Sequence, residues 1–321
     1  MMTIRNSTFP FLPKDFIETK EGLIFAVVSY QPQDKKVGCF LRYIPDGQGW
    51  KKVDTEQANQ LLEQSFPNYL YRSRKVDAQF HAVAITDIAT HHQPEQRLQQ
   101  LLQQTPNDDI ERKLHKLLPI LNQFGVSTET LGLTGSMLIN QQKSTSDIDL
   151  VVYGRQAFQQ ARLATQQAIT QGLIDELDIN LMQDNFQRRD SELDFDEFAW
   201  HEQRKYNKAA IDNCKFDIGM VCLADEFEQD TATYQKLGPR TFKTMVKDDA
   251  RAFDFPACYE IDDQETPQIL SFTHTYVGQA QIGEVIEVSG MVERNTATGD
   301  CRLIVGSSRE AKGEYIKVIK Q

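Results

Sequence analysis

The chain has 321 residues, 40% of them hydrophobic and 25% charged, with a formal net charge of −11; this is globular composition with length for two or three domains. No run approaches the ~18 apolar residues of a membrane helix, and Met1-Met2-Thr3-Ile4-Arg5 is not followed by the apolar core of a leader, so a soluble, cytoplasmic chain with no membrane partner is expected. Residues 1–105 carry 12 basic and 11 acidic side chains, 106–239 carry 13 and 22, and 240–321 carry 10 and 13, so no segment shows the basic excess of a broad nucleic-acid surface.

The first third reads as mostly β. Runs 22–30 and 37–44 are rich in β-branched and aromatic residues, and Pro32-Gln33-Asp34-Lys35-Lys36 supplies a hairpin loop between them. A helix is predicted over 54–65 with Asp54 or Thr55 as N-cap, then a strand over 80–85 and a Gln-rich helix over 94–104. The Pro/Asn/Asp cluster after Thr105 marks a first boundary. A helix starts there with Thr105 as N-cap and an apolar stripe of Leu114, Leu117, Leu118 and Leu121. Next come a strand (131–134), a helix opening at Ser136, a strand through Ile148, Leu150 and Val152, and a helix over 156–169. Residues 191–211 read as helical in their second half, and 215–223 as a strand. Leu237-Gly238-Pro239-Arg240 marks a second boundary, after which short strands and Gly-bearing turns indicate a small barrel or sandwich. The expected division is 1–105, a β-rich domain; 106–239, a mixed sheet with helices; and 240–321, a β-rich domain. The fold class is α+β. Five cysteines without CxxC spacing indicate neither a zinc knuckle nor a disulfide framework.

The chemistry gathers in the middle third. Residues two apart on a strand face the same side, so Asp147 and Asp149 share one face while Ile148, Leu150 and Val152 bury the other. Two carboxylates about 7 Å apart along the backbone repel one another unless positive charge intervenes. A divalent metal ion is the economical source of that charge, because Mg²⁺ takes carboxylate oxygens and substrate phosphates. Asp217, mid-strand between Phe216 and Ile218, offers a third carboxylate, with Gly219 leaving room beside it. Gly135-Ser136, at the end of a short strand, is placed to offer backbone N–H groups and a hydroxyl to phosphate.

Gly135-Ser136, ten residues, Asp147-Ile148-Asp149-Leu150 and the later strand aspartate Asp217 together resemble the DNA polymerase β-type nucleotidyltransferase superfamily. The chain as a whole is similar to a group within it that has flanking N- and C-terminal β-rich domains. The resemblance implies a polymerase β-like core and two Mg²⁺ ions, with Mn²⁺ as a substitute. It implies transfer of a nucleoside monophosphate from a nucleoside triphosphate such as ATP to a hydroxyl, with release of pyrophosphate. On that resemblance Gly135 and Ser136 bind the triphosphate, Asp147 and Asp149 hold both ions, and Asp217 completes the ion nearer the acceptor and helps deprotonate it. The acceptor stays open between RNA, protein and a small molecule.

Blander readings stand beside these. Asp178 competes with Asp217 as third ligand. Arg204 and Lys208, four apart and on one face if helical, would neutralise triphosphate oxygens or simply form a solvated face. His91-His92 reads as a loop cover, and Trp50 and Trp200 as core or edge anchors. The C-terminal strands read equally as an interaction scaffold or as a nucleic-acid module using Arg294, Arg302, Arg309 and Lys312. Two further functions remain: an inactive nucleotide- or RNA-binding scaffold of the same fold, and a glycosyltransferase using Asp147-Ile148-Asp149 as its metal motif.

Overall fold

A computed structural model describes residues 4–5, 10–47, 49–73, 78–189, 191–228, 230, 232–307 and 311–320. It is a mixed α+β structure with three sheets and six α-helices among these residues. No helix among them is long and apolar enough to cross a membrane. The chain forms two compact units, one of residues 1–175 with 209–228, the other of 176–208 with 229–321. The segments expected as the first two domains thus share one unit for the most part, and 176–208 falls with the C-terminal strands.

The first unit begins with strands β1 (Phe16–Thr19), β2 (Ile24–Val27), β3 (Lys36–Asp46) and β4 (Gly49–Lys52). Helix α1 (Thr55–Ser65) follows, opened by Asp54 in a reciprocal capping box with Gln57. Strands β5 (Leu70–Ser73), β6 (Ala78–Ala84) and β7 (Ile88–His92) complete a seven-stranded sheet in the order β5-β6-β3-β2-β1-β7, with β4 on β3. His91 and His92 lie on strand β7 rather than covering a loop; they reach Asp15 at 2.8 Å and Glu18 at 3.3 Å.

Helix α2 (Pro94–Leu102) leads to α3 (Asp109–Gln123), whose N-cap is Asp108 rather than Thr105. The Asp108 carboxylate accepts from Glu111 N–H, a bond that Thr105 is too far upstream to make. Strands β8 (Leu131–Leu133) and β9 (Ile148–Tyr153) are followed by α4 (Arg155–Thr170), which packs on β9. Helices α5 (Ile179–Gln187) and α6 (Phe195–Gln203) belong to the second unit. The chain returns through β10 (Lys208–Ile211) and β11 (Cys214–Val221), joined by the left-handed pair Asp212-Asn213 of a tight hairpin turn. The second sheet has the order β10-β11-β9-β8, with β11 parallel to β9 and β8 antiparallel to it.

The second unit's sheet is built from β12 (Tyr234–Arg251), β13 (Ala257–Ile261), β14 (Gln268–Ser271), β15 (Val285–Asn295), β16 (Cys301–Val305) and β17 (Tyr315–Val318). Because β12 also pairs with β15, the path β12-β13-β14-β16-β15 closes on itself as a barrel, with β17 on the free half of β15. The expected boundary at Leu237–Arg240 lies inside β12. Its register shifts between Lys236 and Gly238, so the Gly-Pro pair makes a bulge in an 18-residue strand rather than a break between domains.

Candidate active site

Strands β9 and β11 bring the aspartates together. In their parallel register Asp217 stands opposite Asp149, and Phe216 and Ile218 opposite Ile148 and Leu150. Neighbouring strands are about 4.8 Å apart, so Asp149 and Asp217 are side by side on one face. Ile148, Leu150, Phe216 and Ile218 are buried on the other. Further along β9 the aspartate face also closes: Val151 and Tyr153 pack with Leu12 and Tyr30 from the N-terminal segment. The face stays open where it carries carboxylates, with Asp147, Asp149 and Asp217 each partly exposed.

Gly135 follows β8 directly. Its φ of +68° lies in the left-handed region, and a Cβ there would sit 3.0 Å from Asp149 Cγ and 3.2 Å from Asp149 Cβ. The glycine thus makes room for the Asp149 carboxylate. Ser136 comes next and is partly exposed. The helix expected from Ser136 is a five-residue 3-10 turn, Gly135–Ile139, ended by Asn140 in the left-handed conformation. Met137, Leu138 and Ile139 are buried, and burying three successive residues suits a tight turn better than an amphipathic helix. Phosphate binding at Gly135-Ser136 would accordingly rest on individual N–H groups and the Ser136 hydroxyl, not on the dipole of a long helix.

Two lysines that the sequence reading did not single out belong to the site. Lys215 lies on β11 two residues before Asp217, and its Nζ is 2.9 Å from Asp147 Oδ2 and 3.5 Å from Asp217 Oδ2. The alternation that pairs Asp147 with Asp149 also puts Lys215 on Asp217's face, so this residue was findable. Lys14 comes from a distant part of the chain. A Cβ on Gly219 would lie 3.6 Å from Lys14 Cε, so the glycine leaves space for that side chain. Lys14 has a φ of 78°, uncommon for a residue with a side chain. Its backbone N–H donates to Val27 O at 3.0 Å, and its carbonyl accepts from the Thr134 hydroxyl at 2.7 Å. The adjacent, fully buried Asp15 accepts from Arg5 at 2.6 Å and from Leu12 N–H at 2.9 Å, and bonds His91 at 2.8 Å.

Burial, then the negative charges of Asp217 and Asp147, push the Asp149 carboxyl up to about 6, against the pull of Lys14 and Lys215. The Lys215 ammonium goes upward: burial pulls it down, but the Asp217, Asp147 and Asp149 carboxylates outweigh that. A proton on Asp149 blocks a cation's access to it. Divalent-cation affinity should therefore rise as pH climbs from 5 to 7, with a midpoint near 6. Mn²⁺ titrations across that range measure it, and a flat profile would refute it.

Whether a metal ion fits has two answers. Asp217 Oδ1 is buried without a hydrogen-bond partner, and the available donors are carboxylate oxygens, the set a hard divalent cation takes. Against this, no group of three His, Cys, Asp or Glu side chains among the described residues stands in metal-ligand geometry. The Lys215 ammonium lies between Asp147 Oδ2 and Asp217 Oδ2 instead. Asp149 and Asp217 offer donors of the type a divalent cation takes, while Lys215 bridges Asp147 and Asp217.

The remaining candidates lie in the second unit. Arg204 is the C-cap of α6 and Lys208 opens β10, so they do not share a helical face. Arg204 pairs with Glu284 at 2.5 Å and stacks on Trp200, while Lys208 pairs with the buried Glu202. Asp178, the competing third ligand, caps α5 by accepting from Leu181 N–H at 2.8 Å. Arg302 pairs with Asp230 and Glu293, and Arg309 lies outside the described residues.

No protein-family model matches the chain, and no solved structure does. The "Uncharacterized protein MJ1086" of Methanocaldococcus jannaschii is 33% identical, an alignment covering 95% of this chain and 98% of that protein. With that identity sustained over nearly both full lengths, the chain belongs to the same family as MJ1086.

Proposed function

We propose that the protein is a metal-dependent nucleotidyltransferase, transferring a nucleoside monophosphate from a nucleoside triphosphate to a hydroxyl acceptor. The observation that carries this reading is the pairing of Asp149 with Asp217 on adjacent parallel strands, with the bare Cα of Gly135 against the Asp149 carboxylate. Asp149 and Asp217 would hold the cation. When bound, Mg²⁺ or Mn²⁺ supplies positive charge to the α-phosphate oxygens and lowers the acceptor's pKa. Gly135 N–H and Ser136 would orient the triphosphate. The acceptor oxygen bonds to the α-phosphorus as the bond to pyrophosphate breaks, and the acceptor proton passes to Asp217. The polymerase β-like core is part of this proposal, supported by the sequence resemblance and by a mixed four-stranded sheet with α4 packed on β9 and β11.

Incubation with Mg²⁺ or Mn²⁺, each labelled triphosphate in turn and a cell extract should pass label to one product, whose nature nuclease and protease then reveal. Asp149→Ala and Asp217→Ala should lose the transfer; variants that retain both transfer and metal-dependent nucleotide binding would defeat the reading. The second reading is a nucleotide- or RNA-binding scaffold of the same fold. Lys215 favours it, since an ammonium across Asp147 and Asp217 neutralises carboxylates that a scaffold has no need to keep free. A scaffold would bind nucleotide with no labelled product, and would tolerate Asp149→Ala.

A further inference from the structure

An ammonium stands among the three carboxylates where charge repulsion alone would call for a second metal ion. Lys215 is 9% exposed, so little water solvates its charge and the aspartates are its counter-ions. Its Nζ bridges Asp147 Oδ2, at 2.9 Å, and Asp217 Oδ2, at 3.5 Å. Asp217 is thereby divided. One oxygen faces Lys215, and the other, Oδ1, is buried without a hydrogen-bond partner. Asp149 stands opposite Asp217 on the adjacent strand, with Gly135 leaving space at its carboxylate. The Asp149 carboxylate and Asp217 Oδ1 are the oxygens this division offers to a cation. Two carboxylates completed by substrate phosphates make a common Mg²⁺ site.

We infer that the site takes one divalent cation, held by Asp149 and Asp217, and that the Lys215 ammonium takes the place of a second one between Asp147 and Asp217. The inference rests on the nucleotidyltransferase reading and departs from the two ions implied by the sequence resemblance. A second ion in that interval would have to expel the ammonium from a mostly buried ion pair, leaving Lys215 without its counter-charges, which is strongly unfavourable. Charge points the same way. Before nucleotide binds, three aspartates and the ammoniums of Lys14 and Lys215 sum to −1 (−3 and +2), one divalent ion brings the group to +1, and two would bring it to +3. Lys215 is thus a positioning residue: it holds Asp147 and Asp217 at fixed separation and gives the site one permanent positive charge.

The test counts ions. The full chain is titrated with Mn²⁺, with and without α,β-methylene ATP, while free and bound Mn²⁺ are followed by electron paramagnetic resonance. The expected result is one bound Mn²⁺ per chain with an uncoupled spectrum. Lys215→Met should take a second ion, and two ions ~3.5–4 Å apart would broaden the spectrum by exchange. Lys215→Arg, which keeps the charge, should stay at one. Two coupled ions in the unaltered protein would overturn the inference while leaving the metal-dependent reading intact. A folded Lys215→Met that still binds one ion with unchanged affinity would also overturn it, and Lys215→Gln repeats the comparison if the Met variant does not fold. No bound Mn²⁺ under either condition would overturn the inference and the nucleotidyltransferase reading together.

Discussion

Gly135→Ala is expected to destabilise the first unit and to remove any metal-dependent activity. Two causes act at once. Gly135 has a φ of +68°, and a side chain in that region costs about 1–2 kcal/mol. The new Cβ would also overlap the Asp149 carboxylate, standing 3.0 Å from Cγ and 3.2 Å from Cβ, and overpacking of this kind costs about 1–3 kcal/mol. Together they predict a loss of about 2–5 kcal/mol. Where in that range the value falls depends on Asp149. If its carboxylate swings away, the clash is relieved and the stability loss is small, but the pair with Asp217 is broken. If it stays, the turn opened by Gly135 must shift instead, which displaces Ser136 and brings the whole cost. Neither route leaves the site intact, so cation binding is lost even in a variant that folds. Trp50 makes the measurement local, because it packs against the cluster that includes Leu138 and Ile139 of the turn that Gly135 opens. Urea unfolding followed by Trp50 fluorescence in a Trp200→Phe background gives the stability change, and Mn²⁺ titration gives the binding loss. Unchanged unfolding with full Mn²⁺ affinity would contradict both the backbone and the packing argument.

Gly135 also illustrates how far the site was legible in advance. The alternation of Asp147 and Asp149 with Ile148, Leu150 and Val152 made a strand with one charged face readable, because a period of two is a local property. Asp217 was readable for the same reason, and the parallel register then set it beside Asp149. Lys215 carries the same period-two signal, two residues before Asp217 on its strand. Lys14 had no local signal: its left-handed backbone and its Thr134 contact, 120 residues away, are tertiary facts. Gly135 was read with Ser136 as a donor of N–H and hydroxyl groups to phosphate; the structure adds that its missing side chain leaves room for an aspartate of the protein itself. The barrel was half legible. Its strands β14 to β17 announced themselves between glycine turns, but Gly238-Pro239 disguised β12, since a bulge and a domain break carry the same residues.

The buried Glu202 leads to the other large effect. Glu202→Ala is expected to destabilise the second unit by about 3–5 kcal/mol, the usual result of removing one partner from a buried ion network. Glu202 is 6% exposed. Its Oε1 accepts from Lys205 Nζ at 2.6 Å, and its Oε2 accepts from Asn185 Nδ2 at 3.1 Å and pairs with Lys208. Lys205 is as deeply buried and has a further acceptor in Thr275 O at 3.1 Å. Without Glu202 both ammoniums lose this carboxylate. Burial alone would raise the Glu202 carboxyl, but Lys205 and Lys208 outweigh it and hold the group well below the ordinary range. A depressed carboxylate contributes stability that is complete above its unfolded value of about 4.5 and is lost as pH falls from there. Trp200 fluorescence in a Trp50→Phe background should show a thermal midpoint lowered on the order of 10 °C, together with a weaker acid dependence below pH 4.5. The same network is the competing account of Lys208. If that residue serves Glu202 rather than a triphosphate, Lys208→Met lowers the midpoint and leaves nucleotide affinity where it was. A fall in affinity at constant stability would restore Lys208 to the site.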